Sequence, residues 1–217
     1  SVGRIMAKLD EEGLADNTIV VLSSDNGGAG YIGLPDINAP YRGWKITLFE
    51  GGIRVPMFVR WPQRIKPGTR ITTPVAHIDV LPTLAAAAGV PLPKDRTIDG
   101  RNLLPLATGT SGFSRPDNAI FWESGAYQVV RAGDWKLQID GTRRKTWLFD
   151  LSADPTEKHD LSAKLPGKVA ELRQMLAAHH KGAVKPLYPF KLASPVLVDK
   201  TEAQKAVPGD EYVIWPN

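Results

Sequence analysis

Residues 18–28 read TIVVLSSDNGG, an apolar and β-branched run that ends in polar residues and two glycines. A short apolar run bounded by turn-forming residues predicts a buried β-strand. The polar residues that begin at Ser23 then lie at the carboxyl end of the strand, where open α/β sheets bind their ligands. The stretch therefore predicts an α/β fold with a candidate site directly after its first strand.

The segments on either side agree with that fold. Residues 1–9 carry apolar side chains at the spacing of a helix, and residues 54–60 form a second apolar run. Asp79 followed by residues 80–88 has the pattern of a capped helix. A strand, a crossover, a second strand and a helix in this order predict a mostly parallel, layered sheet.

Beyond Gly109 the sequence changes character. Four short runs separated by turn residues predict an antiparallel meander at 119–122, 127–131, 135–139 and 146–149. An amphipathic pattern then predicts one helix over residues 166–180. We expect three parts: a larger α/β domain at 1–110, a smaller α+β antiparallel-sheet subdomain at 111–184, and an extended tail at 185–217.

Composition and charge limit the classes of partner. The chain has 217 residues, with 27 Lys+Arg against 23 Asp+Glu and no cysteine. Because the basic residues are scattered, nucleic-acid binding is not indicated. The lack of cysteine excludes disulfides and a thiol nucleophile within this chain. No apolar run reaches the roughly 18 residues that a membrane span requires.

Asp25 and Asn26 are the candidate metal ligands. A carboxylate beside an amide carbonyl offers hard oxygen atoms, which suit Ca²⁺ or Mg²⁺. Calcium takes roughly six to eight oxygens, so two residues are only part of such a site. Taken alone, Asp-Asn-Gly-Gly is more typical of a simple turn than of a metal site.

A second motif precedes the second apolar run. Residues 41–56 read YRGWKITLFEGGIRVP, which places Lys45 where it can meet an anion held at the end of the first strand. A solvated surface lysine is the simpler interpretation of the bare pattern. Glu50 and Arg54 are spaced to form a structural ion pair.

Several motifs in one order resemble the carboxyl-terminal half of the type I sulfatases, in the alkaline-phosphatase-like superfamily. The segments that carry the resemblance are 18–27, 41–45, 49–56, 77–84, 99–103, 133–136 and 148–155. It covers roughly residues 1–181 and implies the layered α/β sheet of that superfamily, with 1–110 as part of its catalytic domain. Several ordered motifs are far more specific than any one of them.

The resemblance also implies roles for individual residues. Asp25 and Asn26 correspond to the residues that bind the active-site calcium, with magnesium as the less favoured cation. Lys45 corresponds to the lysine that contacts the sulfate, and we expect it to be catalytic. Trp44, Arg42 and His77 are further candidates for substrate contact, although packing is the simpler role for Trp44 and a structural role is simpler for His77.

The chain is expected to lack part of the active site. The family's nucleophile is a formylglycine made from Cys or Ser in a Cys/Ser-x-Pro-x-Arg motif, and this chain has no such motif. We therefore expect part of a calcium-dependent sulfatase that is inactive alone and needs the amino-terminal half as partner. The resemblance implies a sulfated small molecule or glycan as substrate and a periplasmic or secreted location.

Three alternatives remain open from the sequence. A phosphoesterase or phosphonate hydrolase of the same superfamily would use the same metal and lysine. A non-catalytic fragment would carry the motifs without turnover. Gly28, Gly30 and Gly33 have the spacing of a dinucleotide-binding loop, but the prolines that follow disfavour the helix this loop requires.

Overall fold

The computed structural model describes residues 1–184, 186–188 and 193–216. In chain order the helices are α1 (Val2–Glu11), α2 (Glu50–Ile53), α3 (Val80–Ala87), α4 (Leu104–Thr108) and α5 (Pro166–Gly182). The strands are β1 (Val20–Ser23), β2 (Met57–Arg60), β3 (Ala119–Ser124), β4 (Tyr127–Ala132), β5 (Trp135–Asp140), β6 (Lys145–Asp150), β7 (Ala193–Leu197) and β8 (Tyr212–Pro216).

These elements form two compact units. The first contains Ser1–Ser23 and Pro56–Asn118, and the second contains Ser24–Val55 and the described residues from Ala119 onward. Each unit is a compact group of segments, and compactness alone does not show that a unit folds independently. The division at residues 110 and 184 therefore stays a prediction.

The sheet of the first unit has two strands, β1 and β2, that pair antiparallel. Val20 lies opposite Arg60 and Ser23 lies opposite Met57. The predicted parallel pairing of these strands is therefore wrong. Because antiparallel neighbours run in opposite directions, the end of β1 lies beside the start of β2. Residues 24–56 are one long connection between these two paired ends.

The sequence predicts that the strands of this small sheet are buried, but neither of them is buried on both faces. Leu22 is 43% exposed and Phe58 is 63% exposed. A two-stranded sheet has no neighbouring strands, and the first unit buries few large apolar side chains, chiefly Trp61 and Leu103. The apolar side chains that predict buried strands are therefore partly exposed in the described structure.

Helices α1 and α3 of the first unit match the predictions, whereas α4 has no counterpart among them. Helix α1 lies where the apolar stripe places it, and α3 follows a short 3₁₀ turn at His77–Asp79. Asp79 accepts a hydrogen bond from the backbone N–H of Ala76 at 2.8 Å. It therefore caps the 3₁₀ turn rather than the α-helix itself.

The second unit contains the predicted meander. Strands β3, β4, β5 and β6 pair antiparallel in sequence order. Helix α5 packs on one face of this sheet through Leu172 and Leu176. Phe49 and the strand pair β7–β8 pack on the opposite face, around Trp147 and Val213. The meander and its helix are confirmed.

Strand β5 carries polar side chains on the face that packs against Phe49. Lys136, Gln138 and Asp140 are fully buried, whereas Leu137 between them packs against α5. Successive side chains of a strand point to opposite faces, so one polar row and one apolar row alternate. The buried polar row must be matched by partners from other segments, because unpaired buried polar groups are costly.

Residues 193–216 differ from the predicted tail. Strands β7 and β8 form an antiparallel pair, and Val198 and Val213 are completely buried in the core of the second unit. The prediction of an extended surface segment is therefore wrong for this part. The residues 185, 189–192 and 217 of the predicted tail lie outside the described residues.

The glycine-rich loop does not open a helix. Residues Gly30–Ile32 form a 3₁₀ turn, and the next α-helix begins only at Glu50. A dinucleotide-binding loop needs a helix directly after its glycines, so this alternative is wrong. No helix in the part of the chain that the structure describes combines the length and apolarity needed to cross a membrane.

Candidate functional site

The connection between β1 and β2 folds back on itself through glycines. The backbone N–H of Gly27 donates to the carbonyl oxygen of Gly52 at 2.9 Å. A Cβ atom at position 27 would lie 1.7 Å from the carbonyl oxygen of Gly51. Only a residue without a side chain permits this approach. The glycines of the Asp-Asn-Gly-Gly motif therefore allow two segments of backbone to touch.

A second contact joins the same motif to the lysine segment. The N–H of Lys45 donates to the carbonyl oxygen of Gly28 at 2.9 Å. The amide of Asn38 donates to the carbonyl oxygens of Gly28 at 2.9 Å and Gly43 at 3.0 Å, and it accepts from the Gly28 N–H at 2.7 Å. Asn38 thus clamps the loop of Asp25 beside the loop of Lys45.

Sequence reasoning missed the role of Asn38. It lies in a stretch rich in glycine and proline, where asparagine is typical of any turn. Its three bonds reach residues five and ten positions away, which a local pattern does not show. We define the site-bearing loop as residues 24–52, held together by Asn38 and the glycine contacts.

The two candidate metal ligands lie at the start of the site-bearing loop. Asp25 is exposed and Asn26 is half-buried. The hydroxyl of Ser24 donates to the backbone carbonyl oxygen of Asn26 at 2.8 Å, which closes a local turn. The side chains offer one carboxylate and one amide oxygen, and this donor set fits a hard divalent cation.

That pair is an incomplete ligand set. Within the described residues, no group of three or more His, Asp or Glu side chains is arranged to hold a metal ion. Asp25 and Asn26 therefore fit a calcium site only as two of its ligands.

Lys45 is a half-buried cation in the same loop. Its ammonium makes no ion pair with any carboxylate of the described residues, since none lies within 4.0 Å. The neighbouring Trp44 is 5% exposed and packs its ring over Gly30. The indole N–H of Trp44 is buried and finds no acceptor in the described structure. This segment therefore carries an uncompensated positive charge and an unused donor.

Arg42, predicted as a substrate contact, is engaged elsewhere. Its Nε and Nη2 donate to the two carboxylate oxygens of Asp199, both at 2.6 Å, and Nη2 also donates to Glu211 at 2.8 Å. Its Nη1 donates to the carbonyl oxygen of Glu157 at 2.6 Å. Burial opposes the charge, but these acids raise the pKa of Arg42 above its ordinary value. All three guanidinium nitrogens of Arg42 therefore bond to acceptors within the second unit.

His77, the last predicted contact residue, belongs to the first unit. Its Nε2 lies 3.2 Å from the hydroxyl of Ser23, the last residue of β1. That hydroxyl also donates to the carbonyl oxygen of Pro56, just before β2, at 3.1 Å. The exposed imidazole therefore lies at the paired ends of β1 and β2.

A buried charge network supports the far end of the site-bearing loop. The ammonium of Lys136 lies 2.9 Å from Oε1 of Glu50 and 2.9 Å from Oε1 of Glu157. Burial opposes ionisation of Glu50, but the attraction of Lys136, Arg131 and Arg54 holds its pKa below the usual value. The predicted ion pair between Glu50 and Arg54 is confirmed at 3.6 Å.

Comparison with known proteins identifies relatives of both units. Residues 1–90 match the family model described as Sulfatase. The steryl-sulfatase of Rattus norvegicus is 40% identical over 161 residues, which cover 71% of this chain and 27% of that protein. The N-acetylgalactosamine-6-O-sulfatase of Bacteroides thetaiotaomicron is 33% identical over 199 residues, covering 81% of this chain and 39% of its own length. The chain spans between about a quarter and two fifths of these relatives.

Solved structures give the same fold. A Bacteroides thetaiotaomicron protein from glycosaminoglycan metabolism superposes with a TM-score of 0.70 at 30% identity, covering 83% of this chain and 42% of that chain. The PsFucS1 sulfatase from Pseudoalteromonas sp. superposes with a TM-score of 0.69 at 25% identity, covering 82% of this chain and 40% of that chain. The predicted α/β fold class is confirmed.

Proposed function

This chain belongs to the sulfatase family, and from that premise we propose that it supplies one side of the active site of an enzyme that hydrolyses sulfate esters. The observation that carries the proposal is that two segments of the site-bearing loop are hydrogen-bonded to each other. The Lys45 N–H bonds the Gly28 carbonyl at 2.9 Å, and Asn38 clamps both segments. A cation-ligand motif and a lysine therefore share one loop of the second unit.

Asp25 and Asn26 are proposed as ligands of a calcium ion. Both donors are hard oxygens, and calcium accepts irregular sets of six to eight oxygens more readily than magnesium does. When bound, such a cation supplies positive charge that stabilises negative charge developing on the sulfate oxygens. The exposure of the Asp25 carboxylate leaves it open to ligands from another segment.

Lys45 is proposed as the catalytic residue of this chain. Sulfate transfer places negative charge on nonbridging oxygens and on the departing alcohol oxygen. A fixed ammonium aimed at those oxygens stabilises the transition state, most strongly where water is excluded. The lack of a carboxylate partner among the described residues leaves the charge of Lys45 available for this task. We further propose that Lys45 donates a proton to the departing oxygen.

The nucleophile is proposed to be a formylglycine supplied by an amino-terminal half, so that this chain alone is inactive. The chain has no cysteine and no Cys/Ser-x-Pro-x-Arg motif. Exposed apolar residues of the first unit support a covering partner. Leu22, Phe58 and Leu81 are large side chains that folded proteins usually cover.

The proposed substrate is a sulfated small molecule or glycan. The relatives are named as sulfatases of steryl and N-acetylgalactosamine-6-O-sulfate esters, and this chain resembles both. Trp44 and His77 are proposed as substrate contacts from the family resemblance. Arg42 is proposed to position the loop instead. A periplasmic or secreted location is proposed from the family resemblance.

The test uses the complete enzyme that contains this chain, with 4-nitrophenyl sulfate as substrate. Lys45→Ala is expected to lower kcat by about 10²-fold to 10³-fold, as loss of one transition-state donor does in other enzymes. Lys66→Ala is the matched control, because Lys66 is exposed in the first unit. A kcat for Lys45→Ala equal to that of the control would refute the role of Lys45.

The same assay separates the sulfatase from its alternatives. With 4-nitrophenyl phosphate the sulfatase proposal expects a lower kcat/KM than with the sulfate ester, whereas a phosphoesterase gives the reverse order. Absence of turnover on both esters in the complete protein would favour a non-catalytic role. Removal of calcium with a chelator is expected to abolish turnover, and its restoration by calcium rather than magnesium tests the choice of cation.

A further inference from the structure

Asp79 gathers two arginines within the first unit. Its carboxylate is fully buried and accepts from the backbone N–H of Arg101 at 2.8 Å and from Nη2 of Arg115 at 2.6 Å. Gly100 allows the backbone before Arg101 to pass Ile78, because a Cβ there would lie 1.9 Å from the Ile78 carbonyl oxygen. The fold therefore fixes both arginines around a single acid.

The charges around this acid do not balance. Asp79 pairs with the guanidinium of Arg115 and accepts only a backbone bond from Arg101, and among the described residues no carboxylate lies within 4.0 Å of the Arg101 guanidinium. Arg115 has a side chain that is only 5% exposed. Buried charges of this kind are normally paired.

A cavity of about 350 Å³ opens beside the two arginines. Its lining residues are Arg101, Ser114, Arg115 and Pro116. The lining combines two guanidinium groups with one hydroxyl, all of which donate hydrogen bonds. The volume lies within the range of small-ligand sites, which is about 300–1,000 Å³.

Unused donors point to the same place. The Nε atoms of both Arg101 and Arg115 are buried without an acceptor anywhere in the described structure. An orphaned buried donor in a native fold requires an explanation, and a bound ion or water is a frequent one. Arginine binds oxyanions through paired N–H groups more strongly than it binds neutral acceptors.

We propose that Arg101 and Arg115 form an oxyanion-binding site in the first unit, with Asp79 holding both arginines in place. The ligand class is a tetrahedral oxyanion, either free sulfate or phosphate or the same group on a larger molecule. The excess positive charge, the cavity and the two orphaned Nε–H donors carry this assignment. It does not depend on the proposed sulfate-ester hydrolysis, because none of its residues belongs to the site-bearing loop.

The test follows the arginine Nε–H resonances of this chain by NMR during titration with sodium sulfate. Sodium chloride is exchanged against sulfate to keep the ionic strength constant, because exposed charges are sensitive to salt. We expect saturable shifts of the Arg101 and Arg115 resonances, with a dissociation constant on the order of 1 mM. A parallel titration with a sulfated monosaccharide tests whether the site binds sulfate as part of a larger molecule as well as the free ion. A titration with acetate tests whether it prefers a tetrahedral anion to a carboxylate.

Two variants complete the experiment. Arg101→Gln keeps the backbone bond to Asp79 and is expected to weaken sulfate binding at least about tenfold, equivalent to about 1.4 kcal/mol. Arg96→Gln is the matched control, because Arg96 is exposed and pairs only with its neighbour Asp95. Wild-type resonances that stay unmoved by sulfate would overturn the proposal. Equal binding by Arg101→Gln and the control would overturn it as well.

Discussion

The ammonium of Lys136 lies 2.9 Å from Oε1 of Glu50, and both side chains are almost completely buried. Lys136 belongs to the centre of the meander, whereas Glu50 begins α2 in the site-bearing loop. Glu157 completes the link, because its carboxylate accepts from Lys136 at 2.9 Å and from the backbone N–H of Glu50 at 2.5 Å. One buried cation thus joins the sheet to the loop that carries Lys45.

Lys136→Met tests how much this link contributes to the stability of the chain. The substitution leaves two carboxylates buried without their shared cation, and breaking a buried pair in this way costs about 3–5 kcal/mol. We expect the free energy of unfolding of the chain to fall by that amount in urea titrations. Lys168→Met is the control, because Lys168 pairs with Glu171 on the surface, where an ion pair contributes about 1 kcal/mol or less. Equal losses in the two variants would show that the network contributes no more to stability than a surface ion pair does.

The position of Lys136 illustrates what the sequence predicts and what it does not. The meander could be predicted, because its strands are short runs divided by turn residues and its contacts are between neighbours in sequence. The burial of Lys136 could not, because its acids are 86 and 21 residues away in the chain. A lysine in a strand normally indicates the solvent side, and here tertiary pairing reverses that rule.

The relative direction of the strands in the first unit could not be predicted from the sequence, for a different reason. The same apolar runs are compatible with a parallel or an antiparallel pair, since each has side chains on both faces. The long connection suggested a crossover, yet the strand ends meet as in a hairpin, with Ser23 opposite Met57. The candidate metal and lysine motifs still share a loop, because the glycines and Asn38 join them rather than the strand directions.

Gly27→Ala is expected to disrupt that joining. A methyl group at position 27 would meet the Gly51 carbonyl oxygen at 1.7 Å, so the two backbone segments must separate. Losses of this kind fall in the range of about 2–4 kcal/mol, which we expect in the free energy of unfolding. Gly3→Ala provides the contrast, since position 3 lies in α1 with open space around it. Alanine there should stabilise the helix by roughly 0.5–1 kcal/mol.

Arg42→Lys distinguishes a structural role from a substrate contact. Lysine cannot reproduce the two parallel bonds from the guanidinium to Asp199 or the third to the Glu157 carbonyl. We expect the chain to lose about 1–3 kcal/mol of stability, the range measured for bonds to charged groups. Arg96→Lys, at an exposed pair with Asp95, should change stability by less than about 0.5 kcal/mol. Unchanged stability in Arg42→Lys, combined with a raised KM in the complete enzyme, would restore the substrate role.

The free energy of unfolding at alkaline pH should depend on Tyr127. Its hydroxyl is completely buried, donates to Gln138 at 2.7 Å and accepts from the Leu48 N–H at 3.1 Å. Burial raises the pKa of Tyr127 well above 10.0, and the charges of Glu157 and Asp140 add to that rise. Below pH 10 the hydroxyl is protonated in both folded and unfolded chains and contributes no pH dependence.

Above pH 10 the unfolded chain releases this proton while the folded chain retains it, so stability falls as the pH rises. The slope from one such group is at most about 1.4 kcal/mol per pH unit. Tyr127→Phe removes this term and also loses about 1–3 kcal/mol at neutral pH from two broken hydrogen bonds. We therefore expect the stability advantage of the wild type over Tyr127→Phe to be constant below pH 9 and to shrink above pH 10. Urea titrations at several pH values measure it, with the exposed Tyr31→Phe as control. An advantage that stays constant up to about pH 12 would mean that Tyr127 ionises without unfolding.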